Sequence, residues 1–182
     1  MRPLTAVLAV VLALPACGDL TTPTGGPGIE RPNLALSTPN DSLAAANSGP
    51  QLLVCPTVED HVERALVGPL GGTLGVRGTS ISIPPGAVPE PTLFEIAVPA
   101  SRFMEVEIHA VASSSYLFRQ PATITINYAR CPDDAAPPAA VLQGVYIDGA
   151  KRVLETMPGN ADKVAKKMSF QTNHLSGYAV AY

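Results

Sequence analysis

From Gln51 onward, apolar and polar side chains alternate in short runs, the pattern of strands with one buried face. Ile81 and Ile83 alternate with serines in the run that starts at Thr79, and Phe94, Ile96 and Val98 repeat the period, as do Val106, Ile108 and Ala110. Ala122, Ile124, Ile126 and Tyr128 point one way while Thr123, Thr125 and Asn127 point the other. Val145 with Ile147, Met168 with Phe170, and Tyr178, Val180 and Tyr182 continue the series. Turn signals separate these runs: Pro69 with Gly71-Gly72, Pro84-Pro85-Gly86, Asp148-Gly149 and Pro158-Gly159-Asn160. Roughly seven or eight short strands with frequent turns predict an all-β chain folded as an antiparallel β-sandwich of two sheets. The one helical competitor is 160–167, where Ala161, Val164 and Ala165 support at most two weak turns. A domain spanning 51–182 is long enough to bury about two-thirds of its unfolded surface.

Ahead of this domain the texture differs. Arg2 precedes a mostly apolar run from Leu4 to Leu14, too short for a bilayer, which needs about 20 apolar residues. The run fits the hydrophobic region of an export signal. It ends in Leu14-Pro15-Ala16-Cys17, which resembles a bacterial lipobox, although Pro15 departs from the small or β-branched residue usual there. That resemblance implies cleavage after 1–16 and diacylglycerol on Cys17, whose acyl chains contribute about 0.8 kcal/mol per buried CH₂. Residues 17–50 carry Pro23, Pro27, Pro32, Pro39 and Pro50 among Thr, Gly, Ser and Asn, with only scattered apolar positions such as Leu34, Leu36 and Leu43. Such a stretch cannot offset its chain entropy and reads as a disordered tether with a coil dimension of about 30 Å.

Composition narrows the function classes. Charged residues make up 15% and net charge is -3, so there is no basic patch for nucleic acid. Tryptophan is absent and aromatics are 5%, which argues against a platform for stacking sugars or bases. Of the 3 cysteines, setting Cys17 aside leaves Cys55 and Cys131. In an oxidising compartment these most simply pair, against the alternatives of free thiols or an intermolecular bridge. The bond would close a long loop, and chain entropy then gives on the order of 4 kcal/mol.

Some stretches carry a family resemblance. Gly71-Gly72-Thr73-Leu74 is followed by Ile81-Ser82-Ile83-Pro84-Pro85-Gly86-Ala87-Val88; later Phe118-Arg119-Gln120-Pro121 leads into Thr123-Ile124-Thr125-Ile126; the chain then runs His174-Leu175-Ser176-Gly177-Tyr178-Ala179-Val180. In this order they resemble the ZU-five domain, a module shared by tight-junction scaffolds, netrin receptors and ankyrins and found in some bacterial exported proteins. The resemblance implies a β-sandwich used for protein–protein contact rather than catalysis. The partner domains that accompany it in ankyrins have no counterpart in the sequence, so no particular partner carries over.

Candidate chemistry is sparse. His174-Leu175-Ser176 resembles the self-cleavage sites of some members of that family, where a hydroxyl attacks the preceding carbonyl. By that analogy Ser176 is the nucleophile, His174 the general base, and Leu175–Ser176 the bond cut. The competing reading is a loop entering the last strand with a hydrogen-bonded His174. Glu105, Glu107 and His109 share a strand face at spacing two, a pattern open to a metal patch or a solvated face. Glu59, Asp60 and His61 follow a proline-led loop and read as surface, and Asp133-Asp134 read as a solvated turn; Lys163, Lys166 and Lys167 form a small basic cluster open to anionic lipid at about 1 kcal/mol per charge. No phosphate loop, zinc-spaced set or nucleophile elbow is present. The sequence therefore predicts a lipoprotein anchored in the cell envelope, facing the periplasm or the cell surface. Its β-sandwich binds an unidentified envelope protein, without enzymatic activity, metal, cofactor, nucleic acid or small-molecule substrate; the alternative is a domain that cleaves itself at Leu175–Ser176.

Overall fold

Eleven strands and no helix make up the computed structural model, which describes residues 49–182. The leader 1–16, the lipidation candidate Cys17 and the tether up to residue 48 lie outside the described residues. The strands are β1 (His61–Val67), β2 (Gly72–Val76), β3 (Thr79–Ile83), β4 (Thr92–Val98), β5 (Glu105–Ala110), β6 (Leu117–Asn127), β7 (Gln143–Ile147), β8 (Val153–Met157), β9 (Gly159–Asp162), β10 (Lys167–His174) and β11 (Gly177–Ala181). One sheet has the order β1-β4-β5-β11-β7-β8, the other β2-β3-β6-β10-β9, and every pairing is antiparallel. Between the sheets lies one main core holding Ile81, Phe94, Ile108, Ile124, Met168 and Tyr178, all wholly or almost wholly buried. The β-sandwich expected from the alternating runs is the observed fold.

Each alternating run became a strand because one of its faces had a sheet to bury against. In β6, Ala122, Ile124 and Ile126 are fully buried while the intervening threonines are only partly so. Pro121 sits inside this strand, exposed, where the β6–β10 register shifts between Thr172 and His174. A proline lacks the N–H that a central ladder needs, so it is accommodated at the irregularity. After β3, Pro84 and Pro85 end the strand and Gly86 turns the chain with φ 80°, donating its N–H to the Pro69 carbonyl. Gly144 in β7 is required for a different reason: a Cβ there would lie 2.4 Å from the ring of Phe170.

Several expectations are corrected. Residues 160–167 contain no helical turn; 159–162 are the short strand β9, which turns back into β10 through Val164 and Ala165, whose N–H groups Asp162 caps. Gly159-Asn160 accordingly lie in a strand rather than a turn. His61, read as surface, is half-buried and opens β1, and Asp60 before it accepts the N–H of Ala100. β1, β2, β8 and β9 add to the expected set, and all are edge strands.

A short N-terminal stretch completes the six-stranded sheet. Gln51 and Tyr182 exchange N–H···O bonds of 2.9 Å each way, Leu53 donates to Val180, and Met104 donates to Leu53. Leu53 enters the main core, whereas Leu52 packs on the opposite face over Val145, Ile147, Ala179 and Ala181. Cys55 follows directly and is bonded to Cys131, 76 residues away in sequence. The expected disulfide is present.

Candidate functional site

The β10–β11 connection carries His174, Leu175 and Ser176, and its organising residue is Tyr178. That ring is fully buried, and its hydroxyl donates to the His174 carbonyl. The same oxygen lies 3.0 Å from Thr172 Oγ1 and 3.2 Å from His174 Nδ1. Burial above all pushes the phenol well above its ordinary range, with the nearby Tyr146 and Glu155 adding to the shift and the Thr172 hydrogen bond opposing it. Tyr178 therefore stays a neutral hydroxyl that fixes the backbone of the connection. The His174 ring stacks on Tyr178 and meets Tyr146 edge-on, with centroids 5.9 Å and 5.0 Å apart.

Ser176 belongs to a different surface. It lines a shallow groove of about 370 Å³ on the outer face of the six-stranded sheet, with Glu107, His109, Asp148 and Lys151. His174 lines a separate cleft with Glu155, Gln171 and Asn173. Among the described residues no hydrogen bond joins His174 to Ser176, the contact by which a base activates a hydroxyl. The flanking backbone is held in ordinary fashion: Leu175 donates to Tyr116 and the Ser176 carbonyl accepts from Ile108. Left-handed backbone at non-glycine residues falls at Arg77, Lys151 and Lys166, and none of 174–176 adopts it.

Glu105, Glu107 and His109 do share the outer face of β5, but their surroundings separate them. Glu105 is fully buried and its Oε2 binds the ammonium of Lys151, while its Oε1 is buried without a hydrogen-bond partner. Lys151 sits at the tip of the β7–β8 turn with φ 62°, in a loop that Asp148 fastens by accepting the N–H groups of Ala150 and Arg152. Burial alone would lower the Lys151 pKa, yet the hydrogen bond and charge of Glu105, with Glu107 3.5 Å away, outweigh it and raise the pKa. His109 turns instead to Glu95, with Nε2 3.2 Å from Oε1, and Arg64 binds the other oxygen of that carboxylate. The cross-strand register Arg64–Glu95–His109 explains this line of charge across β1, β4 and β5. Among the described residues, no three His, Cys, Asp or Glu side chains gather as a metal-binding group.

The third cluster surrounds the disulfide. Arg130, next to Cys131, donates to the carbonyls of Pro56, Ser101 and Phe103, tying the residue after Cys55 to the 101–103 segment beside the disulfide. Burial lowers the guanidinium's pKa and Glu105 opposes the shift. Lys166 is drawn out of the basic cluster: it donates to the Cys131 carbonyl at 2.9 Å and pairs with Asp133 at 2.7 Å, holding that exposed carboxyl below its usual range. Lys163 lies 3.5 Å from the Ala140 carbonyl, over a hollow of about 170 Å³ lined by Tyr128, Cys131 and a Pro-Ala loop. Sequence reasoning singled out neither Lys151, Arg130 nor Tyr178 as an organising residue. For Arg130 the signal was its position beside a cysteine; for Lys151, its place after an Asp-Gly turn.

Compared with family models and with curated proteins, the chain matches none.

Proposed function

We propose that the chain is a bacterial lipoprotein held in the cell envelope by Cys17, and that its ZU-five-like β-sandwich binds another envelope protein without catalysing a reaction. One observation carries the reading: Cys55 and Cys131 pair, so Cys17 is the cysteine left over, standing after an apolar leader and a small residue. A disulfide suits an exported domain, and a leftover cysteine there is the natural place for a lipid. The non-catalytic part is supported by the commitment of His174 to Tyr178 and by the separation of Ser176 into another groove. Residues 17–50 then serve as a spacer between lipid and domain. The test is crosslinking in the producing bacterium's own envelope, followed by purification through the full chain. A defined protein joined to residues 51–182 is expected. No crosslinked protein, or a chain that arrives cut at Leu175–Ser176 and intact after Ser176→Ala, overturns the proposal.

A further inference from the structure

β1 is an unusual sheet edge. Its seven residues keep one register against β4 from His61–Val98 to Val67–Thr92, without bulge or proline. The opposite edge of that sheet, β8, is shorter and its register slips at Tyr146/Ile147; the edges of the other sheet, β2 and β9, are shorter still or equally brief. Natural sheets usually blunt a free edge by such shortening, bulging or proline, since unpaired N–H and C=O groups invite another strand. Among the described residues the backbone of β1 has no hydrogen-bond partner beyond the β4 ladder. Val62, Glu63 and Arg64 are exposed in succession, so both faces of the strand are open there. On the outer face Val62 is 50% and Leu66 68% exposed, with Leu93 opposite Leu66 and Val111 hydrogen-bonded to Leu93 extending the apolar row.

We infer that β1 is a docking edge for an extended segment of a partner protein, added antiparallel as a seventh strand of that sheet. This deepens, and rests on, the protein-binding reading. The side chains specify the occupant. Val62, Arg64 and Leu66 share the outer face, so the incoming strand needs apolar residues at its ends; Arg64 binds Glu95 through Nε yet is 61% exposed, and its remaining donors call for an acid opposite it. Glu63 faces the other way beside a smaller Ala65, which calls for a base and a small residue at the adjoining positions. The partner pattern is apolar, small, acidic, basic, apolar. A second copy of the chain does not supply it. Two-fold antiparallel registers long enough to use most of β1 place Arg64 on Arg64, Glu63 on Glu63, or Arg64 on Leu66.

The probe is the labelled peptide Thr-Val-Ala-Glu-Lys-Val-Thr, titrated against the full chain in nanodiscs, with Thr-Val-Ala-Lys-Glu-Val-Thr as a control of equal composition. The unaltered chain should prefer the first peptide by about fivefold or more, a discrimination of about 1 kcal/mol. Glu63→Lys with Arg64→Glu should reverse the preference. Should that double variant fail to fold, Leu66→Lys, at a position outside the ion pair, should weaken the first peptide severalfold. Equal binding of both peptides, or a preference untouched by these changes, overturns the inference. So does a concentration-dependent dimer that Leu66→Lys abolishes, which would make the occupant a second copy, or peptide binding that appears only after residues 17–50 are removed. In the envelope, a crosslinked partner that Leu66→Lys retains overturns the edge assignment while the protein-binding reading stands; absence of any partner for the unaltered chain overturns both.

Discussion

Lys151 reaches from the tip of the β7–β8 turn to the buried carboxylate of Glu105 on β5, closing an ion pair whose acid is 0% and whose base is 30% exposed. Removing one partner of a buried pair leaves a charge without compensation, which costs more than the pair itself contributes. Lys151→Met should therefore destabilise by about 2–3 kcal/mol, below the full cost of a wholly buried pair because the ammonium is partly solvated. Adding Glu105→Gln should recover most of that loss, measured by urea unfolding. A destabilised double variant would show that the two side chains matter separately.

The same pair sets an alkaline limit. Lys151 has a folded pKa above its unfolded value, so its contribution is complete below the unfolded pKa and disappears as pH rises through the folded one. Tyr178 acts in the same direction: its folded pKa is also raised, and the unfolded phenol ionises first, near pH 10. Stability should be flat through neutral pH on account of these groups and fall above about pH 10. In Lys151→Met the fall should be shallower, as read from melting temperature against pH.

The strands themselves, though not their order in the sheets, were legible wherever one face met the core, and illegible at the edges. β3 and β6 alternate cleanly because Ile81, Ile83, Ile124 and Ile126 oppose solvent-side serines and threonines. β1 reads His-Val-Glu-Arg-Ala-Leu-Val and buries only Val67, so no period-2 contrast exists to be read. β9 has one apolar side chain, the half-buried Ala161 against the core, too little for a readable period, and is held chiefly by pairing with β10. Glu105 shows the same blindness for sites: at spacing two from Glu107 it looks solvated, and what covers it arrives 46 residues later in the chain. By sequence spacing His174 looks to Ser176, two residues on, whereas its partner is Tyr178, four residues on, across a tight connection.

Tyr178→Phe should cost about 1–3 kcal/mol, because Thr172 and the His174 carbonyl lose a buried hydroxyl. Ser176→Ala should leave stability unchanged and alter the mass of the intact chain only by the one oxygen atom lost, since the Ser176 carbonyl rather than its side chain makes the interstrand bond. Denaturing mass spectrometry should find one intact chain in the unaltered protein and in the alanine variant alike. Two fragments meeting at Leu175–Ser176 in the unaltered protein would contradict this.

Reduction should expose two alkylatable thiols at Cys55 and Cys131 and lower stability by about 4 kcal/mol on the chain-entropy model. Replacing both with alanine should reproduce the loss, and a melting temperature unmoved by reducing agent would refute it.

Cys17→Ser should abolish acylation and release the chain from the membrane fraction of a bacterial host. An unlipidated N-terminus on the unaltered protein, with fractionation unchanged by the substitution, would count against the anchor.

The paired bonds between Gln51 and Tyr182 give the domain a mechanical character. Any pull on the chain ahead of Gln51 acts on the end of a ladder, so its rungs open one at a time under low force instead of shearing together. Opening stops at Cys55, where the load passes through a covalent bond to Cys131 and into the five-stranded sheet that Tyr128 and β6 anchor. With the disulfide intact, stretching can never extend the loop between Cys55 and Cys131, whereas after reduction that loop unravels too. The disulfide is thus a stop on extension, and single-molecule stretching with and without reductant would read its position directly.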